Sequence, residues 1–195
     1  MPDPLPTSPS AAKTALRDQL LTARRRRSLV EVGEAGRAIA RRLLDTPEVR
    51  RAATVAAYVS IGAEPGTGAL LEALETAGKR VILPVLLPDN DLDWAVHTGP
   101  LAPAGRGLLE PAGPRLGVDA VATADVVLVP GLAVAADGTR MGRGGGSYDR
   151  ALSRVPVGTF TCVLLYDDEL LPGVPHEAHD HRVAAATTPS GLTRF

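Results

Sequence analysis

Hydrophobic residues along the chain change their period several times, and each change marks an element. TVAAYVS (54–60), RVILPVLL (80–87), DVVLVP (125–130) and TFTCVLLY (159–166) are short apolar runs bounded by turn residues, the pattern of strands buried on both faces. LDWAVH (92–97) alternates, and VAAATT (183–188) is a last strand candidate. AAKTALRDQLLTARRRR (11–27) puts Ala12, Leu16, Leu20 and Ala23 on one helical face, with Ser8 or Ser10 available as a cap. LVEVGEAGRAIARRLL (29–44) predicts a second helix, closed by the DTP that follows. ALLEALETAG (69–78) predicts a third that stops at Gly78, and SYDRAL (147–152) the first turns of a fourth. Residues 98–117, rich in proline and glycine, read as loop.

Strands that alternate with helices predict an α/β domain with a largely parallel sheet covered by helices on both faces. There are no internal repeats, and no linker divides residues 11–195, which read as a single domain; residues 1–10, MPDPLPTSPS, read as a disordered tail. Ligand sites in such folds lie beyond the carboxyl ends of strands. IGAEPGT (61–67), the glycine-rich stretch after DVVLVP and the PHEAHD loop (175–180) each follow a strand-like run, so one cleft can gather all three.

Composition narrows the partners. With 45% hydrophobic and 22% charged residues and a net charge of -1, the chain has no overall attraction for nucleic acid or anionic membrane. No apolar stretch approaches the ~20 residues of a membrane span, and the start lacks a signal-peptide core, so the cytoplasm is the expected location. Cys162, the single cysteine, lies in an apolar run and reads as a buried, inert thiol. Of 21 basic residues two are lysines, Lys13 and Lys79, and nineteen are arginines. An individual arginine is therefore weak evidence here. Arg24 to Arg27 read as a solvated helix end rather than a nucleic-acid patch.

The candidate chemistry lies in GTRMGRGGGSYDRAL (138–152), with five glycines, three arginines and Asp149. It lacks the lysine of a P-loop and the spacing of a dinucleotide fingerprint. Backbone freedom flanked by guanidinium groups nonetheless suits a polyphosphate. Asp149 would repel phosphates unless a cation stood between them. His176, Glu177, His179, Asp180 and His181 lack the fixed spacing of a zinc site. Glu64, a carboxylate just past a strand, reads either as solvated or as part of the cleft.

VVLVPGLAVAADGTRMGRGGGSYDRAL (126–152) resembles the signature of the 5-formyltetrahydrofolate cyclo-ligase (methenyltetrahydrofolate synthetase) family. Four further motifs match in order: Lys13, Leu16 and Arg17; Tyr58, Ser60, Glu64 and Thr67; Gly107, Glu110 and Pro111; and Val174, Pro175, Glu177, His179 and Asp180. Three positions depart from the pattern. Ser147 replaces the first of two tyrosines, Val134 a phenylalanine, and Pro65 an aliphatic residue. The first change removes a ring and a phenol from the folate side of the site.

The resemblance implies a three-layer α/β fold of the sugar-phosphate isomerase and CoA transferase type. It also implies closure of 5-formyltetrahydrofolate to 5,10-methenyltetrahydrofolate at the expense of ATP, with Mg²⁺. By resemblance Arg143 and Asp149 are catalytic. ATP falls to Lys13, Arg17, Arg140, Met141, Gly142, Arg143, Gly144, Gly145, Gly146, Ser147 and Tyr148. The folate falls to Val59 and Glu64 together with Arg143, Gly144, Gly145, Gly146 and Ser147, with Glu64 accepting from the pterin N–H groups. Mg²⁺ falls to Asp149 and Asp180. The expected partners are reduced folate and ATP, without nucleic acid or membrane, and the expected state is a monomer. Two rivals stand beside this expectation: a non-catalytic relative that binds nucleotide or folate, and a small-molecule kinase.

Overall fold

The computed structural model describes residues 9–195. Three helices come first: α1 (Pro9–Arg25), α2 (Leu29–Asp45) and the short α3 (Pro47–Arg51). The chain continues through β1 (Thr54–Ala56), α4 (Gly68–Thr76), β2 (Arg80–Leu86) and β3 (Leu92–Val96), then a hairpin of β4 (Leu101–Pro103) and β5 (Leu109–Pro111). After β6 (Val126–Pro130) come β7 (Ala133–Ala135), β8 (Arg140–Met141), α5 (Ser147–Ser153), β9 (Phe160–Leu164), β10 (Leu170–Leu171), β11 (Ala185–Thr187) and β12 (Leu192–Arg194).

The main sheet runs β12-β11-β9-β6-β1-β2-β3. Its five inner strands are parallel, and β3 and β12 close the edges antiparallel. From β1 the chain proceeds to β2 on one side and later to β6 on the other, so a topological switch point lies between β1 and β6. Because side chains alternate along a strand, the apolar runs serve two cores. Val55, Val81, Leu83, Leu128, Cys162 and Leu164 meet Ile39, Leu43, Val49, Leu70 and Leu74 of α2, α3 and α4. Ala56, Ile82, Val127, Val129 and Val163 face the other way, onto Trp94, Val121, Ala151 and Leu152. These are the three layers that the alternating pattern predicts. Among the described residues no helix is long and apolar enough to cross a membrane.

Local signals account for the helix ends. Ser28 caps α2 by accepting from the Glu31 N–H at 3.2 Å, while Glu31 accepts from the Ser28 N–H at 2.6 Å. Thr46 ends α2 and caps α3, whose first residue is Pro47. Pro9 and Ser10 already belong to α1, so Ser10 is not its cap; Ser8 and the rest of the expected tail lie outside the described residues.

The structure departs from the expected strands and loops in three places. Only Thr54–Ala56 of the first strand run joins the ladder; Ala57 adds one more bond, to the Ile82 carbonyl. The expected loop at 98–117 contains the β4–β5 hairpin. A small sheet of β10, β7 and β8 packs Leu132, Ala133 and Met141 against Leu16, Leu20 and Leu21 of α1. Strands of two or three residues have too little periodicity to be recognised in advance.

The largest correction concerns α1. Ala23 is exposed, and Arg24, expected in solvent, is buried with 2% of its surface accessible. Its guanidinium donates from Nε and Nη2 to Glu169 at 2.6 and 2.8 Å, and from Nη2 to the Gly131 carbonyl at 2.7 Å. Glu169, also 2% exposed, further accepts from the Tyr166 N–H. Burial was not legible because the partner lies 145 positions away.

Two stability outcomes follow. Arg24→Met, which strands the Glu169 charge in the interior, lowers the unfolding free energy by about 3–5 kcal/mol in urea titrations, and Arg24→Met with Glu169→Leu recovers most of it. A single mutant as stable as the parent would remove the pair from the structural account. A β-carbon on Gly36 of α2 would lie 2.3 Å from the Gly66 carbonyl oxygen. Gly36→Ala is therefore expected to destabilise by about 1–3 kcal/mol, against a helix-propensity gain of about 1 kcal/mol. Stabilisation on thermal denaturation would show that the two backbones are not in contact.

Candidate functional site

The carboxyl ends of β1 and β6 open into a cleft of about 600 Å³, within the range of small-molecule sites. Tyr58, Val59 and Glu64 enter from the segment after β1, and Pro130 and Gly131 from the end of β6. α1, the 177–180 loop and the glycine-rich loop supply most of the remaining lining. All of the residues that the sequence assigned to ATP, folate or metal line this one cleft.

The glycine-rich loop is shaped by the cations packed against it. Arg140 is buried, donates from Nη1 to the Pro130 carbonyl at 3.3 Å and pairs through Nη2 with Asp149 Oδ1 at 2.9 Å. A β-carbon on Gly142 would come within 2.7 Å of Arg140 Nη1. Gly144 combines a φ of +99° with Arg17 carbon and nitrogen atoms 3.3 Å from where its β-carbon would be. Arg17 in turn donates to the Gly142 carbonyl at 3.2 Å. At Gly144 the left-handed backbone requires glycine, and the packed Arg17 guanidinium leaves little room for a side chain. Met141 contributes backbone to the cleft, since its side chain is buried against α1.

Each acidic residue at this end already has a protein cation. Lys13 Nζ donates to Asp180 Oδ2 at 2.6 Å and to Glu177 Oε2 at 2.8 Å. Burial raises the Asp180 pKa, but the Lys13 bond and the Glu177 N–H more than offset it and hold the carboxyl below its usual range. Asp149 has Arg140, so a divalent ion is not the sole cation that can keep a carboxylate in this loop. A hard cation nonetheless suits the donors. Asp149 accepts its hydrogen bonds on Oδ1, from Arg140 and the His181 N–H, and Asp180 on Oδ2. Among the described residues no hydrogen bond reaches the other oxygen of either, and His179 approaches Asp180 Oδ1 only to 3.8 Å. Two carboxylate oxygens thus stay open, a donor type that magnesium prefers.

Glu64, 5% exposed rather than solvated, also lines the cleft. Its loop is pinned by reciprocal bonds: the Ser60 N–H donates to Thr67 Oγ1 at 2.9 Å, and the Thr67 N–H to Ser60 Oγ at 3.0 Å. The Ile61 N–H donates to Glu64 Oε2, and the half-exposed Arg143 reaches Oε1 at 3.2 Å. Burial raises the Glu64 pKa, opposed by the Ile61 N–H and by Arg143. The Tyr166 hydroxyl donates to the carbonyl of Ala63 at 3.0 Å, which connects this loop to the Arg24–Glu169 pair. Glu64, expected on the folate, and Arg143, expected on both substrates, are therefore direct neighbours.

Sequence reasoning assigned no role to several lining residues. Tyr58 is buried, and its hydroxyl has no hydrogen-bond partner among the described residues. Glu110 accepts from the Leu86 N–H at 2.9 Å, which seats the β4–β5 hairpin on the cleft. Both occupy matched motif positions, so their spacing was the available signal. Leu86, Leu92, Arg106, Leu108 and Leu109 also line the wall, and no motif pointed to them.

The 5-formyltetrahydrofolate cyclo-ligase family matches residues 9–189. A 5-formyltetrahydrofolate cyclo-ligase of Mycolicibacterium smegmatis is 40% identical over 184 residues, which span 91% of this chain and 94% of that one. The Escherichia coli K12 protein of the same name is 36% identical over 180 residues, 85% and 95% of the two chains. Among solved structures, Aquifex aeolicus 5,10-methenyltetrahydrofolate synthetase superposes with a TM-score of 0.81 at 26% identity, covering 93% of this chain and 92% of its own. A Mycoplasma pneumoniae 5,10-methenyltetrahydrofolate synthetase, at 20% identity and a TM-score of 0.72 over 91% and 98% of the chains, shares the fold.

Proposed function

The chain belongs to the 5-formyltetrahydrofolate cyclo-ligase family, an ATP-dependent ligase family, and from that premise we propose how its cleft closes 5-formyltetrahydrofolate to 5,10-methenyltetrahydrofolate. A formamide oxygen is a poor leaving group, and N10 of the folate is a weak nucleophile. The formyl oxygen attacks the γ-phosphorus of ATP and ADP departs, leaving an imidate phosphate. N10 then attacks the formyl carbon, the N10 proton passes to solvent, and the carbon–oxygen bond breaks to release phosphate. The protein's share is to align two substrates and to stabilise charge on the moving phosphoryl group.

The observation that carries this proposal is the convergence of a cation-lined glycine loop and a buried carboxylate, Glu64, on one cleft. Lys13, Arg17 and Arg140, with backbone N–H groups from Met141 to Tyr148, would hold the polyphosphate. Arg143 is the bridge between substrates. It neutralises Glu64 in the free protein and is half-exposed, so it can turn towards the transferred phosphoryl group. Glu64 would accept from the pterin N–H groups, with Val59 beside it and Ser147 leaving the room that a tyrosine would fill. Asp149 and Asp180 would hold Mg²⁺ through their open oxygens. Bound there, the ion supplies positive charge between the carboxylates and the phosphates. The proposed setting is a cytoplasmic monomer that engages no nucleic acid.

Purified protein with Mg²⁺, ATP and 5-formyltetrahydrofolate is expected to generate the methenyl chromophore with about one ADP per turnover, one phosphoryl group for each formyl oxygen. ADP with a stable phosphorylated product would mean a kinase, and folded protein with neither product would mean a binding module.

A second outcome tests the metal residues. Asp149→Asn and Asp180→Asn are each expected to raise the Mg²⁺ concentration needed for half-maximal turnover, with folding intact by circular dichroism. Their combined effect should fall well short of additive, since both disable one ion. Unaltered Mg²⁺ dependence in Asp149→Asn would restrict its role to the Arg140 pair.

A further inference from the structure

Of the cations that line the cleft around the glycine loop, one is held differently from the rest. Lys13 and Arg140 have side chains 10% and 3% exposed, and each makes two hydrogen bonds to its neighbours. Arg17 is fixed on the loop by its bond to the Gly142 carbonyl. The Arg143 side chain is 46% exposed, and its ion pair with Glu64 at 3.2 Å is the one polar contact it makes among the described residues. It is therefore the cation most free to change partners.

Glu64 is the reverse case. Its side chain is 6% exposed, and its two oxygens are taken in different ways. Oε2 accepts from the Ile61 N–H at 2.9 Å, within its own turn. Oε1 faces the Arg143 guanidinium. A ligand donor aimed at this carboxylate therefore meets Arg143 first. Moving the guanidinium away with nothing in its place would leave a buried charge without its cation, which is costly. The exchange becomes favourable when an anion takes the guanidinium and N–H donors take the carboxylate.

We propose that the Arg143–Glu64 pair is a latch between the two substrate sites: in the free protein Arg143 occupies the pterin-binding edge of Glu64, and the γ-phosphate of ATP draws it off. The latch rests on the folate reading of the cleft. Each substrate then helps the other to bind, because each receives one half of a broken ion pair. After transfer, when the phosphoryl group has left as phosphate, the guanidinium has no anion at that position. It returns to Glu64 and displaces the methenyl product from the pterin seat.

Isothermal titration calorimetry at about pH 8, above the carboxylate range and with Mg²⁺ throughout, tests the latch. In the unmodified protein the non-hydrolysable β,γ-imido analogue of ATP should lower the Kd of 5-formyltetrahydrofolate about fivefold or more, and ADP less than about twofold. Arg143→Gln should bind the folate without nucleotide at least as tightly as the parent, and the analogue should no longer improve it. Glu64→Gln, which frees the guanidinium, should bind the analogue about threefold or more tighter than the parent with no folate present. A rise in melting temperature on adding the analogue shows that each variant is folded. Weaker folate binding by Arg143→Gln would make the arginine a contact of the folate. Unchanged analogue affinity in Glu64→Gln would show that the pair restrains nothing, and equal coupling by ADP would place the effect away from the γ-phosphate. Each of these results would overturn the proposal. Failure of the folate reading itself looks different: no form of the protein would bind 5-formyltetrahydrofolate, while the gain in Glu64→Gln would stand.

Discussion

The buried pair of Arg24 and Glu169 is the contact on which the arrangement of the cleft depends. An ion pair in a dry interior gives little net stability, because removing two charges from water offsets most of their attraction. Its value here is geometric. One guanidinium holds α1 to Gly131 at the end of β6, and its carboxylate partner holds the Tyr166 backbone, whose hydroxyl reaches the loop of Glu64. Arg27 lies over the Tyr166 ring, 3.8 Å from its centroid, and bonds Asp168, so the same short turn is gripped twice. The helix that carries Lys13 and Arg17 is therefore set relative to Glu64 by charge as well as by packing.

Much of this was legible from residue order. Apolar runs of six to eight residues between helical patterns lead directly to a parallel sheet, and the switch point of that sheet locates the cleft. The glycine loop declared itself by composition, and Lys13, Glu64 and Asp180 by motif spacing. What stayed hidden depended on distant partners. Arg24 looks like any arginine of a basic run until Glu169 is brought to it across the fold. The small sheet of β7, β8 and β10 has no periodic signal, being held together by α1 rather than by its own pattern. Arg106 sits in a stretch whose glycines suggested only flexibility.

The electrostatics of the site follow one rule: each cation in the cleft that faces an acid has that acid within hydrogen-bond reach. Lys13 has Asp180 and Glu177, Arg140 has Asp149, and Arg143 has Glu64. Paired in this way, opposite charges can coexist in a confined space without mutual repulsion among like groups. It also means that an incoming polyanion meets cations already oriented, and exchanges one anionic partner for another instead of ordering loose side chains from solvent.

Lys13 and Asp180 touch at 2.6 Å although 167 positions separate them, so the first helix and nearly the last loop meet in the same wall. During synthesis α1 leaves the ribosome 167 residues ahead of its partner loop and waits for it. β11 and β12, laid down at the sheet edge after that loop, finish the same side. Until that loop arrives, Lys13 lacks both of its carboxylate partners and this wall of the cleft is unfinished.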